Sequence, residues 1–266
     1  MRDLFPQQQV LIGALHLGAM PGTPRGVLTP QEIVEQAVRE ARILDAAGFD
    51  GIILENMHDR PYLKGAVGPE VVATMAVACA EVRRVTKLPI GLQILAGANE
   101  QALATAFCAG ADFIRAEGFV FAHIADEGLI QACAGPLLRY RAKIGAQRIK
   151  ILCDIKKKHS SHALTADLSL VDTAKAAEFF LADGLVVTGL ETGSRTDPQE
   201  VRDTVDATSL PVWIGSGLSP DNISEYGSAH GLIVGSWMKI DGDWTQPVDP
   251  ARAEALVKAT RPGATP

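Results

Sequence analysis

The stretch Val10–Gly26, VLIGALHLGAMPGTPRG, decides between two α/β architectures. Its apolar head reads as a buried strand, and a doubly wound nucleotide-binding sheet commonly places G-x-G-x-x-G directly after its first strand. Here the strand runs into ALHLGAMPG, which lacks that spacing. The open sheet is therefore the weaker reading. The strand ends near His16 and passes into a loop stiffened by Pro21 and Pro24, longer than a simple reversal needs.

Working outward, the same alternation continues through the chain. Strand candidates are Val10–Leu15, Gly51–Leu54, Ile90–Leu95, Asp112–Ala116, Ile149–Cys153, Gly184–Thr188, Val212–Gly215 and Leu232–Gly235. Between the first two, Ile33, Ala37, Val38, Ala41 and Leu44 form an apolar stripe, with Glu32, Glu35, Arg39 and Glu40 over much of the remaining surface. Helical spacing extends likewise over Pro69–Thr86, Asn99–Ala109, Gly128–Ile144, Ser169–Ala182, Pro198–Ala207, Pro220–Tyr226 and Pro250–Thr260. TPQE, DPQE, SPDN and DPAR each put Pro in or near a first helical turn after a capping Thr, Asp or Ser, where its missing N–H costs nothing. Eight such units, starting 20 to 41 residues apart with no linker between them, predict one (β/α)8 TIM barrel over residues 1–266. Residues 1–9 and 261–266 are expected as loose termini.

Composition narrows the function. With 47% hydrophobic residues among 266, the chain can bury a large core, and 25 glycines against three tyrosines and three tryptophans favour tight turns over an aromatic binding face. A net charge of -6, with Lys156–Lys158 the only basic run, argues against nucleic acid as partner. Cys79, Cys108, Cys133 and Cys153 match no zinc or redox spacing and read as reduced core residues of a cytosolic protein. MRDLFPQQQ lacks the apolar stretch of a secretory signal, and no run reaches the roughly 18 apolar residues that span a bilayer. A cytoplasmic protein without membrane insertion is expected; oligomeric state is left open, a homo-oligomer included.

In a barrel of this kind, chemistry sits where strands end. Those ends are polar here: His16, Glu55, Asn56, Gln93, Arg115, Glu117, Asp154, Lys156, Lys158, Thr188, Ser216 and Ser236. Late in the chain VVTGLETGS, WIGSGLSPDN and LIVGSWMK follow consecutive strands, and glycines there let backbone N–H groups approach an anion. Gly189, Gly215, Ser216, Gly217, Gly235 and Ser236 are the expected phosphate cradle. Glu55 and Asp154 face the mouth as a candidate acid/base pair. In DIKKKHSSH, strand alternation places Asp154, Lys156 and Lys158 on one face, with Lys157 and His159 opposite unless the strand has ended. A lysine there can bind an oxyanion, act as an acid or form a Schiff base. His16 is a candidate acid, base or ligand. Asn56, Gln93, Arg115, Thr188, His159 and Arg25 complete the candidate substrate contacts, with Met20–Arg25 as a lid. No motif demands a cofactor. His16, Glu55, Glu117 and Asp154 form the one set that offers ligands to a divalent cation, at spacings that are not metal-specific.

IGALHLGAMPGTPRG, GFDGIILENMHDRPYLKGAVGPEVVATM, GADFIRAEG, ILCDIKKKHS, LVVTGLETGSRTDP, WIGSGLSPDNI and LIVGSWMKIDGDWTQPVDP together resemble the BtpA/SgcQ family, in order through nearly the whole chain. The resemblance implies a barrel of the ribulose-phosphate-binding type. Asp154-x-Lys156 also resembles the start of the Asp-x-Lys-x-x-Asp signature of barrels that handle ribulose-type phosphates, but His159 replaces the final carboxylate. In the family, one branch is associated with photosystem I accumulation in cyanobacteria, another lies among sugar-uptake genes, and some members carry a phosphoribosylanthranilate-isomerase-like name. Two functions are thus expected in competition: an isomerase, epimerase or lyase acting on a small phosphorylated sugar or sugar-derived metabolite, and a non-catalytic assembly or regulatory factor in photosystem I biogenesis.

Overall fold

The computed structural model describes residues 1–7, 9–189 and 193–261. Its eight barrel strands are β1 (Val10–His16), β2 (Gly51–Glu55), β3 (Ile90–Gln93), β4 (Phe113–Ala116), β5 (Lys150–Ile155), β6 (Gly184–Val187), β7 (Val212–Ile214) and β8 (Gly231–Val234). Each pairs in parallel with its sequence neighbours, and β1 closes on β8, with Val10 opposite Gly231 and Val234 opposite Gly13. Closure leaves no sheet edge and creates an inside. Short apolar runs buried on both faces form these strands, since one face meets helices and the other the barrel interior.

The helices around them are α1 (Pro30–Ala47), α2 (Pro69–Val85), α3 (Asn99–Ala109), α4 (Ala134–Lys143), α5 (Leu170–Phe179), α6 (Pro198–Ala207) and α7 (Pro250–Thr260). Their starts carry the capping chemistry expected of the sequence: Thr29 and Glu32 form a reciprocal capping box on α1, and Asp197 and Asp249 cap α6 and α7 ahead of Pro198 and Pro250. None of these helices is long and apolar enough to cross a membrane.

Two expected helices are different. Gly128–Ile144 is helical only over Ala134–Lys143; Gly128–Ile130 pairs instead with His123–Ala125, which pairs in turn with Ser160–Ser161. This small antiparallel sheet turns at Asp126 and Glu127, with Gly128 at φ 100°, a backbone that resists helix. Pro220–Tyr226 shortens to a 3₁₀ turn over Ile223–Tyr226.

Alternation along the strands fills the barrel base with apolar side chains. Val10, Ile12, Ala14, Ile53, Phe113, Leu152, Val186, Trp213 and Ile233 form one cluster, separate from the larger core beneath the helices. Met1 and Phe5 join it, each 5% exposed. The Phe5 ring lies edge-on to Phe113 and Trp213, with centroids 6.1 and 5.4 Å away. The expectation of a loose N-terminus is therefore corrected: two apolar side chains plug the base. Residues 262–266 of the other expected loose end lie outside the described residues, while Arg261 bonds the Gly48 carbonyl. Room for the Trp213 ring comes from Gly231, where a Cβ would stand 2.1 Å from ring carbons.

Candidate active site

Two residues beyond that apolar layer, the inward positions turn polar. His16 on β1, Glu55 on β2, Gln93 on β3, Arg115 on β4 and Asp154 on β5 are all buried at the strand ends. Their centre is Arg115. Its Nε donates to both Asp154 oxygens at 3.1 Å, Nη2 donates to Oδ1 at 2.9 Å, and Nη1 reaches Glu55 Oε1 at 3.4 Å. Burial works against the guanidinium charge, but Asp154 and Glu55 together hold its pKa above the ordinary arginine value.

The mouth divides into two chambers that share Glu55, Met57, Arg115 and Lys158 as a wall. The first, about 340 Å³, is lined by His16, Gly193, the run Gly215–Ser219 and the run Gly235–Trp237. The amides of Ser216, Gly217 and Leu218 donate to no acceptor among the described residues. Gly217 has φ 70° and a Cβ there would lie 2.3 Å from the Ser194 carbonyl oxygen, so only glycine suits the turn. At Gly235 a Cβ would stand 2.8 Å from His16 Nε2. Lys158 enters this wall, and burial followed by the Arg115 charge pulls its pKa below the usual lysine range.

His16 is held as a neutral base. Its Nδ1 lies 2.9 Å from the Trp244 carbonyl, which can only accept, so Nδ1 carries the proton and Nε2 keeps its lone pair. Burial and then the Lys239 charge push its pKa well below the ordinary value. Nε2 is 4.0 Å from Glu55 Oε2. Behind His16, fully buried Lys239 donates to Glu40 on α1 at 2.9 Å.

The second chamber, about 390 Å³, is lined by Gln93, Glu117, Asp154, Lys157 and His159, with Asp126 and Glu127 from the small sheet. Lys157 Nζ donates to Glu117 Oε1 at 3.3 Å. Burial raises the Glu117 pKa, against the pull of Lys157. Trp244, from the loop between β8 and α7, lines this chamber too, with the Arg60 guanidinium 4.5 Å from its ring centroid and His58 at 5.1 Å.

Several expected residues stand elsewhere. Lys156 does not enter the mouth: β5 ends at Ile155, Lys156 takes φ 46°, and its Nζ bonds the Leu168 carbonyl. That left-handed residue breaks the alternation, so Lys157 and Lys158 both reach the chambers. Arg25 is exposed, and no residue of 17–29 lines either chamber. That loop is held down instead by Asp59, which accepts from the Met20 amide at 2.7 Å and Thr23 Oγ1 at 3.2 Å. Asn56 holds Asp59 at 2.9 Å and accepts from the Leu95 amide at 2.7 Å, so it is a loop pin. Trp244, not Met20–Arg25, lines the second chamber. The Gly189 N–H is taken by Ser216 Oγ at 2.8 Å, and Gly193 takes its place along the cradle; Leu190–Thr192 of the same motif lie outside the described residues. Thr188 accepts from the Lys158 amide at 3.1 Å and so positions that lysine. The proposed cation set does not assemble: Glu55 and Asp154 converge on Arg115, and no group of three or more potential ligands is placed to hold a metal among the described residues.

The BtpA family model matches residues 7–262. The chain belongs to the BtpA family. An uncharacterised protein of Caenorhabditis elegans, named as mitochondrial, is 46% identical over 260 residues, covering 96% of this chain and 94% of that one. The photosystem I biogenesis protein BtpA of a Synechocystis strain is 35% identical over 266 residues, covering 98% and 92%. Among solved structures, this BtpA-family barrel is similar to N-(5'-phosphoribosyl)anthranilate isomerase from Pyrococcus furiosus, at TM-score 0.58 and 12% identity over 95% and 98% of the two chains. It is also similar to orotidine 5'-phosphate decarboxylase from Pyrococcus horikoshii, at TM-score 0.56 and 13% identity over 94% and 99%. These likenesses establish the fold.

Proposed function

We propose that this BtpA-family barrel is an enzyme acting on a small phosphorylated sugar or sugar-derived metabolite, by proton transfer or by lyase chemistry. The observation that carries the reading is the first chamber: three consecutive amides, Ser216–Leu218, without acceptors among the described residues, in a wall that also receives Lys158 and Arg115. Such a wall suits an anion that the protein itself does not supply. Two structural neighbours, an orotidine 5'-phosphate decarboxylase and an N-(5'-phosphoribosyl)anthranilate isomerase, support the same class. His16 Nε2 is the proton acceptor in this proposal. Asp154, clamped by Arg115, orients rather than accepts, and Lys158 stabilises negative charge that develops beside the phosphate.

Calorimetry with ribose 5-phosphate and inorganic phosphate tests it. The expected result is saturable binding at or below millimolar ligand, weakened by about tenfold or more in Gly217→Val. Absence of binding of either ligand at millimolar concentration overturns the reading. A second reading, an assembly factor, is favoured by the exposed apolar end of α5, where Phe179, Phe180 and Leu181 are 81%, 48% and 69% exposed. Complementation of a deletion strain separates the two. A Gly217→Val chain that restores the phenotype fully supports assembly, and one that fails while folding normally supports catalysis.

A further inference from the structure

We infer that the second chamber is a specificity site for an amino group on the same ligand, remote from its phosphate. The inference rests on the phosphate reading of the first chamber. Glu117 is only 7% exposed, lines the second chamber, and uses one carboxylate oxygen on Lys157. Its other oxygen, Oε2, is buried without a partner, and so is Glu127 Oε2 on the same chamber. Asp126 lines the chamber beside them, and neither Asp126 nor Glu127 has an ion-pair partner within 4.0 Å among the described residues. A buried carboxylate oxygen without a donor costs free energy, which an incoming donor recovers.

The rest of the mouth shows which end of a ligand goes where. Glu55 and Asp154 are already taken by Arg115, and Tyr62 spends its hydroxyl proton on the Met57 carbonyl at 2.7 Å. Among the described residues the first chamber leaves the three amides without acceptors, and in the second the buried side-chain oxygens without a donor are those of Glu117 and Glu127, beside the cations Lys157 and Lys158. A ligand that bridges the shared wall thus presents an anion to one side and donors to the other. An ammonium suits the second side better than a hydroxyl: it brings three donors and the opposite charge, where a hydroxyl brings one donor and none.

The experiment compares glucosamine 6-phosphate with glucose 6-phosphate by calorimetry, with inorganic phosphate as reference. The amino sugar is expected to bind about tenfold tighter, the size of one charge-assisted hydrogen bond. Glu127→Gln, at a surface turn where folding is least at stake, and Glu117→Gln are each expected to bring the ratio to within about twofold while inorganic phosphate binds as before. Equal affinity of the parent chain for the two sugars, with phosphate still bound, overturns this inference and leaves the phosphate reading standing. Failure of all three ligands to bind overturns both. An amino-sugar preference that survives both substitutions also overturns the assignment to this chamber.

Discussion

At the base of the barrel the inward positions hold Phe113, Leu152 and Trp213, packed with Phe5 from the N-terminus; two residues further along the same strands stand Arg115, Asp154 and Gly215. One backbone, one alternation and one direction of travel produce both layers. The base is sealed by shape, because its side chains exclude water and each other's neighbours tolerate no extra carbon. The mouth is held by charge, because two carboxylates and a guanidinium satisfy one another out of bulk water. The difference sets where polar side chains belong: a polar residue in the base layer would be a packing error, whereas the same residue one pleat higher faces the open chambers.

The sharpest break in this comparison is Arg115→Ala. It leaves Glu55 and Asp154 buried without the guanidinium they share, and removing one partner from such a cluster costs about 3–5 kcal/mol. Denaturant unfolding measures the loss, and phosphate binding is expected to disappear with it. A variant as stable as the parent would show that the mouth is not held by charge.

Gly231→Ala tests the base in the opposite sense. Its new Cβ meets the Trp213 ring at 2.1 Å, and overpacking of this kind costs about 1–3 kcal/mol. Trp213→Leu in the same chain is expected to recover part of that loss in thermal unfolding, with ligand affinity unchanged throughout. Affinity that falls with Gly231→Ala would mean that the two layers are mechanically coupled.

The same contrast explains what was legible in the sequence. Strand identity was carried by apolar runs, and helix starts by Thr29, Asp197 and Asp249, both local signals. The polar strand ends followed from parity alone, which is why Glu55, Arg115 and Asp154 could be named before their contacts were seen. Parity failed at Lys156, where a left-handed residue shifts the phase and delivers Lys157. It also had nothing to say about Trp244, Asp126 and Glu127, which reach the mouth from a loop and a small sheet whose placement is tertiary. Met1 and Phe5 were not legible because the scattered apolar residues of MRDLFPQQQ make no periodic pattern.

The smallest expected effect is also the most specific to the boundary between the layers. His16 is neutral in the fold because burial, and then Lys239, oppose its charge; Glu55, His58 and Lys158 are the other titratable groups around it. In the unfolded chain a histidine takes up its proton near pH 6.5. The unfolded state therefore binds more protons as pH falls below that value, and the folded state follows only at a much lower pH. Stability linked to His16 is fully present above about pH 6.5 and declines as pH drops, by at most about 1.4 kcal/mol per pH unit for one proton. His16→Asn removes that one contribution, so unfolding free energies of parent and variant measured from pH 7.5 to 5 are expected to converge as pH falls. Curves that diverge as pH falls toward about 6.5 would mean that His16 is already charged in the fold, and His16 would then be an acid rather than the base assigned to it here.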